Sequence, residues 1–226
     1  MKRFLVIFAK EPEENMVKTR LRGSLPASRR IDLYKAFLRD TVDIAKKVDC
    51  EARIIAYESN RKTPRYLKRI ASGFSFCEQK GKDLGARMHN AFKFVVGKGV
   101  SKVVIIGSDA PTLSSRYINN AFKQLDKTEI VLGPSRDGGY YLVGLKKPCV
   151  GLFKDIRWSS KTVFADTLKN VKRLKKTLSL LPYWYDVDEP STLAKLKRDL
   201  KKKENSGVAK WTKEFFKFCE LSHRQN

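Results

Sequence analysis

Asp109 stands in Gly107-Ser108-Asp109-Ala110-Pro111, directly after the apolar run Lys102-Val-Val-Ile-Ile106. Open α/β sheets bind ligands beyond the carboxyl ends of their parallel strands. A carboxylate there suits Mg²⁺ or Mn²⁺ bridging a diphosphate. Its competing role is to cap the following helix, but Pro111 and Thr112 push that helix start further along. A second acidic group, Tyr185-Asp186-Val187-Asp188-Glu189-Pro190, precedes a helix that opens at Pro190. Asp188 is therefore either an N-cap or a second metal ligand, and spacing does not choose between them.

Basic residues follow the first apolar run. Lys10-Glu11-Pro12 and then Val17-Lys18-Thr19-Arg20-Leu21 could hold a di- or triphosphate, with an Arg fork matching phosphate oxygens. Neither a Walker A pattern nor GxGxxG is present, and a solvated basic loop explains the same residues equally well. In Gly133-Pro-Ser-Arg-Asp137-Gly138-Gly139-Tyr140-Tyr141 the paired glycines allow close approach to a ligand. Asp137 could orient an acceptor hydroxyl as a base. Taken alone, the segment reads more simply as a hairpin turn.

These groups need elements to hold them. Phe4–Ala9 is a continuous apolar run bounded by charge, as in a strand buried on both faces. Ile31, Tyr34, Phe37, Leu38, Thr41, Ala45 and Val48 recur at helical spacing and predict a long amphipathic helix over roughly 27–48. Further strands are expected at 53–57, 74–77, 102–106, 130–132 and 140–145. Helices are expected at 65–70, from Asp83 as N-cap through Val95, and at 115–125. Alternation of strand and helix implies a mostly parallel sheet covered on both faces. The close succession of 130–132 and 140–145 leaves no room for a crossover, implying one antiparallel pair.

Formal charge is +24 over 226 residues, but it is dispersed and carried largely by Lys, which describes a solvated surface better than a recognition patch. Cys50, Cys77, Cys149 and Cys219 form no CxxC pair, and His89 and His223 are the only histidines. That argues against a zinc site and a histidine-based triad. The cysteines fit a reduced, cytoplasmic protein, and no apolar run approaches the length of a membrane span. Residues 201–207 read as a charged linker. Beyond it Val208, Trp211, Phe215 and Phe218 form the apolar face of a basic helix that packs on the domain or on a second subunit.

The ordered motifs FAKEP, VKTRL, GKDLGARM, IGSDAP, LGPSRDGGYYLVGL, RWSSKTV and DVDEPSTL resemble an uncharacterised glycosyltransferase-like family of the nucleotide-diphospho-sugar transferase superfamily. The resemblance spans residues 4 to about 196, and the chain is also distantly similar to 2-phospholactate guanylyltransferase. It implies a Rossmann-like GT-A three-layer α/β sandwich over residues 1–200; the basic linker and amphipathic helix of 201–226 lie outside it. It further implies Asp109 and Asp188 as ligands of Mg²⁺ or Mn²⁺, and Lys18, Thr19 and Arg20 as phosphate contacts. Asp83 and Arg87 would touch nucleotide or sugar; Asp137, Gly138, Gly139 and Tyr140 would line the acceptor side; Trp158 and Ser159 would belong to a covering loop. DGGYYLVG departs from the guanylyltransferase pattern, so the leading expectation is sugar transfer from a nucleotide sugar to a small acceptor, with Asp109 and Asp137 catalytic. The alternatives are nucleotidyl transfer from an NTP to a phosphorylated small molecule, and a non-catalytic basic nucleic-acid-binding protein.

Overall fold

Strand β1 (Lys2–Lys10) turns Leu5 and Ile7 into one core and Phe4 and Val6 into another, the two-sided burial of a central parallel strand. The computed structural model describes residues 1–60, 63–96, 101–202 and 207–222. Within them β2 (Ala52–Glu58), β3 (Ser75–Glu78), β4 (Ser101–Ile106), β5 (Ile130–Pro134), β6 (Tyr140–Leu145) and β7 (Leu178–Leu180) join β1 in one sheet. Its order is β3-β2-β1-β4-β6-β5-β7. The fold is thus a Rossmann-like mixed α/β sandwich, as expected from sequence.

Strand β6 runs antiparallel to both β4 and β5, whereas all the other pairings are parallel. The single antiparallel pair expected from sequence is therefore two pairings made by one reversed strand. The short turn between β5 and β6 forces the reversal, and β6 then inserts between β4 and β5. Helices α1 (Ala27–Lys46), α2 (Arg65–Ile70) and α4 (Ser115–Lys127) bury Tyr34, Leu38, Leu67 and Phe122 on one face. On the other, α3 (Leu84–Val96) and α5 (Val163–Arg173) bury Phe92 and Val171. Helix α5 and strand β7 escape a reading of the sequence. The buried side of α5 includes Thr167 and Asn170, which dilute its hydrophobic period, and β7 is only three residues long.

A third core decides where the chemistry sits. Leu21, Leu33, Phe37, Tyr185, Val187, Leu193 and Leu196 pack together, joining the loop after β1, helix α1, the segment after β7 and helix α6 (Pro190–Leu200). Burying each large apolar side chain contributes about 1.5–3 kcal/mol. Leu21 and Val187 thereby pin the backbone beside Lys18 and Asp188.

Helix α7 (Lys210–Ser222) packs on α1. The buried Asp40 carboxylate accepts the Trp211 and Thr212 N–H groups, each at 2.9 Å, and the Thr212 hydroxyl at 2.5 Å. These bonds satisfy donors that the start of a helix leaves open. The intervening linker expected at 201–207 lies partly outside the described residues, at 203–206. No helix among the described residues is long and apolar enough to cross a membrane.

Candidate active site

The chain leaves β1 at Lys10, and Glu11 immediately turns inward. Its carboxylate accepts the Tyr66 N–H at 2.6 Å and the Leu67 N–H at 3.3 Å, so it caps α2 and anchors the loop rather than facing a ligand. The loop then passes through Asn15 and Lys18, both with positive φ (63° and 49°). A short 3₁₀ turn, Thr19–Leu21, follows and drops Leu21 into the third core. Non-glycine residues hold left-handed conformations only when their surroundings over-determine them.

At Lys18 the surroundings do so. Its ammonium donates to Asp109 Oδ1 at 2.5 Å, Asp188 Oδ1 at 2.9 Å and the Val187 carbonyl at 2.7 Å, using all three N–H bonds. The side chain is 1% exposed and lies over the Phe37 and Tyr34 rings, 4.9 and 5.7 Å from their centroids. Burial opposes the Lys18 charge, but Asp109 and Asp188 outweigh it and hold the ammonium above its ordinary range. For Asp109, burial wins over Lys18 and raises the carboxyl; for Asp188, Lys18 wins over burial and lowers it. Asp186 is pushed up to about 8, first by burial and then by Asp109, Asp188 and Asp137, with Lys18 pulling the other way.

Neither key carboxylate is a helix cap. Helix α4 starts from Ser114, whose hydroxyl accepts the Arg116 N–H. Helix α6 starts from Glu189, where the Thr192 hydroxyl accepts the Glu189 N–H at 3.1 Å and donates to the Glu189 carbonyl at 2.9 Å. Asp188 is free to face inward, and the Val187 N–H on the Asp109 carbonyl (2.9 Å) ties the two segments together.

These groups form one end of a cavity of about 510 Å³ at the carboxyl ends of β1, β2 and β4. Lys10, Lys18, Thr19, Arg20, Arg87, Asp109, Ser159 and Asp188 all line it, so the structure brings together eight of the residues singled out from sequence. Glu58 and Gln79 line its far end. Glu58 is bridged by Arg87 at 2.9 Å and Lys10 at 3.5 Å. The Gln79 amide donates to the Ala56 and Ala9 carbonyls at 2.8 and 3.3 Å, which leaves its own oxygen without a partner among the described residues. Tyr34 and Ser108 close the floor through a shared hydrogen bond of 2.9 Å, and the Lys10 N–H donates to Tyr34 Oη.

The remaining expected residues lie elsewhere. Asp83 caps α3 by accepting the Ala86 N–H at 2.8 Å and does not line the cavity. Trp158 packs against Phe153 and Gly85; a Cβ on Gly85 would lie 2.5 Å from the indole. Tyr140 sits at the second core beside a recess of about 100 Å³. Gly138 has φ +91°, and a Cβ there would meet the Lys161 carbonyl at 2.1 Å, so this glycine serves packing of the 157–162 loop. Asp137 accepts the Gly139 N–H at 3.0 Å in an exposed turn and reaches the cluster only through its charge on Asp186.

Sequence reading passed over Tyr34, Ser108, Glu58 and Gln79. Glu58 and Gln79 end or follow strands β2 and β3, so the strand-end rule that picked out Asp109 would have found them. Tyr34 carried no signal beyond its place on an apolar helix face.

Among the described residues no group of three His, Cys, Asp or Glu side chains is arranged to enclose a cation. Asp109 and Asp188 supply two carboxylates whose side chains stay 35% and 43% exposed toward the cavity. Two carboxylates suit Mg²⁺, which ordinarily keeps water and phosphate oxygens as its other ligands.

The chain resembles known proteins along most of its length. The chain is 25% identical over 185 residues to 2-phospho-L-lactate guanylyltransferase of Methanocaldococcus infernus, covering 80% of this chain and 79% of the relative. A crystal structure from Desulfovibrio desulfuricans G20, provisionally named a nucleotide-diphospho-sugar transferase, superposes with a TM-score of 0.89 at 29% identity. That match covers 100% of this chain and 98% of the other. Rv0371c of Mycobacterium tuberculosis H37Rv, in complex with manganese, shares the fold at 14% identity and a TM-score of 0.55, over 86% of this chain and 97% of its own. The fold and these relatives make the chain a nucleotide-dependent transferase with the nucleotide-diphospho-sugar transferase fold. Within that class the chain belongs to the family described as "Uncharacterized protein conserved in bacteria (DUF2064)", whose profile matches residues 41–160.

Proposed function

We propose that this protein is a nucleotidyltransferase that joins an NTP to a phosphorylated or otherwise anionic small molecule with release of pyrophosphate. The observation that carries the reading is the Lys18–Asp109–Asp188 group at the basic end of a nucleotide-sized cavity. It is supported by the likeness to a guanylyltransferase over four-fifths of the chain.

In this reading Lys10, Lys18, Thr19 and Arg20 hold the phosphates, and Glu58, Gln79 and Arg87 face the base. Asp109 and Asp188 would hold Mg²⁺ or Mn²⁺; manganese accompanies the same fold in Rv0371c. A bound divalent cation neutralises charge on the departing phosphates. An oxygen of the acceptor attacks the α-phosphorus, forming one P–O bond as the α–β bond breaks and pyrophosphate leaves. In this reading Ser159, which lines the cavity, faces the acceptor's approach.

Transfer of a sugar from a nucleotide sugar, the leading expectation from sequence, becomes the second reading. The 29% identity to the Desulfovibrio protein favours it, whereas the relatives with a stated reaction are guanylyltransferases.

Thermal unfolding against GTP, CTP, UTP, ATP and nucleotide sugars, with and without Mg²⁺ or Mn²⁺, selects the donor, because a native-state ligand raises the melting temperature. Turnover of that donor with 2-phospholactate and related acids then separates the reactions. Pyrophosphate supports nucleotidyl transfer and nucleoside diphosphate supports glycosyl transfer. Absence of stabilisation by any nucleotide sinks both.

A further inference from the structure

The Lys18 ammonium occupies the meeting point of the two carboxylates that a divalent cation would use. It takes one oxygen from each, spends its third N–H on the Val187 carbonyl, and is sealed from solvent by Phe37 and Tyr34. A divalent cation approaching alone therefore meets a fixed like charge, already desolvated and compensated. A triphosphate changes that balance, since its oxygens offer Lys18 new acceptors and add negative charge beside the incoming metal.

We propose that Lys18 is the free protein's own counterion for Asp109 and Asp188, so that divalent metal enters with the nucleotide, whose phosphates take over the ammonium, and not before it. The proposal rests on the reading of Asp109 and Asp188 as metal ligands. It goes beyond that reading by setting an order of loading. It makes Lys18 a positioning residue for the carboxylates as well as a phosphate contact. The left-handed backbone at Lys18 places it at the start of the Thr19–Leu21 turn, so the same residue that leaves the carboxylates is followed by the cavity-lining Thr19 and Arg20.

The test measures Mn²⁺ alone, by calorimetry and by the electron paramagnetic resonance of free Mn²⁺, on the whole chain. Lys18→Met is expected to bind Mn²⁺ about ten-fold or more tighter than wild type, comparable to the effect of an adjacent opposite charge on a carboxylate's proton affinity. Lys18→Arg, which keeps the charge, should bind as weakly as wild type, and adding Asp109→Asn to Lys18→Met should abolish the gain. Lys18→Met should melt lower in chelator and recover with Mn²⁺. A merely structural defect would not tighten metal binding. Should Lys18→Met not fold, Lys18→Gln and wild type with and without its stabilising nucleotide make the same comparison. Equal Mn²⁺ affinity of wild type with and without nucleotide overturns the proposal. So does a Lys18→Met no tighter than wild type while Asp109→Asn abolishes binding, an outcome that leaves the metal reading standing. No Mn²⁺ binding by any variant, with or without nucleotide, overturns both.

Discussion

Asp40 holds α7 against α1 at a measurable electrostatic cost. It is 2% exposed, and burial pushes its carboxyl from 3.8 up to about 6, against the Thr212 hydroxyl and the Trp211 and Thr212 N–H groups, which pull it down. Between those two values the folded chain holds a proton that the unfolded chain has released. The unfolded state then binds fewer protons, so stability falls as pH rises through this window. Full relief comes below 3.8 and the full penalty above 6. A shift of this size corresponds to roughly 3 kcal/mol. Asp40→Asn keeps the shape without the charge, removes that penalty and loses one or two hydrogen bonds of about 1 kcal/mol each. Near neutral pH the variant should be close to wild type; at pH ~4 wild type should lead it by roughly 3 kcal/mol more than at neutrality. Calorimetry should see that as a relative change in melting temperature of about 6–12 °C for a chain of this length. The difference between the two proteins isolates Asp40 from other titrating groups such as Asp186 and Asp199. If both curves run parallel from pH ~4 to ~7, the reasoning about a buried carboxylate at this junction is refuted.

Gly138→Ala should destabilise by about 1–3 kcal/mol and weaken nucleotide binding, because its Cβ would displace the 157–162 loop that carries Ser159; denaturant unfolding and ligand titration check both effects. Thr192→Ala should cost about 1 kcal/mol through the lost α6 cap yet leave the metal-dependent nucleotide effect intact. Asp188→Asn should abolish that effect, and paired thermal unfolding of the two variants distinguishes cap from site. Arg87→Ala leaves Glu58 held by Lys10 alone at the far end of the cavity and should raise KM for the nucleotide with little change in kcat; a fall in kcat alone would contradict its place away from the reacting phosphate.

Much of the fold was legible because its signals are local. Apolar runs such as Phe4–Ala9 and Val103–Ile106 leave little choice but a strand buried on both faces, and the periodic stripe from Ile31 to Ala45 leaves little choice but a helix. The rule that ligands gather at strand ends then led to Asp109 without coordinates, and the resemblance of ordered motifs supplied Asp188, Arg87 and Ser159. What remained hidden depends on distance along the chain. Lys18 and Asp188 are separated by 170 positions, and no local pattern states that their side chains touch. Their contact exists because Leu21, Phe37 and Val187 share one apolar core, whose burial fixes the backbone on either side. Equally, the role of Gly138 turns on a carbonyl 23 positions away, and the freedom of the Asp188 carboxylate on the Thr192 hydroxyl, which caps α6 through the Glu189 backbone. Sequence alone determined most of the elements, though not α5 or β7, and the types of group at their ends, because helix and strand periods are written in neighbouring residues. Only tertiary packing decided which groups meet, because burial of apolar surface acts between segments that the chain itself keeps far apart.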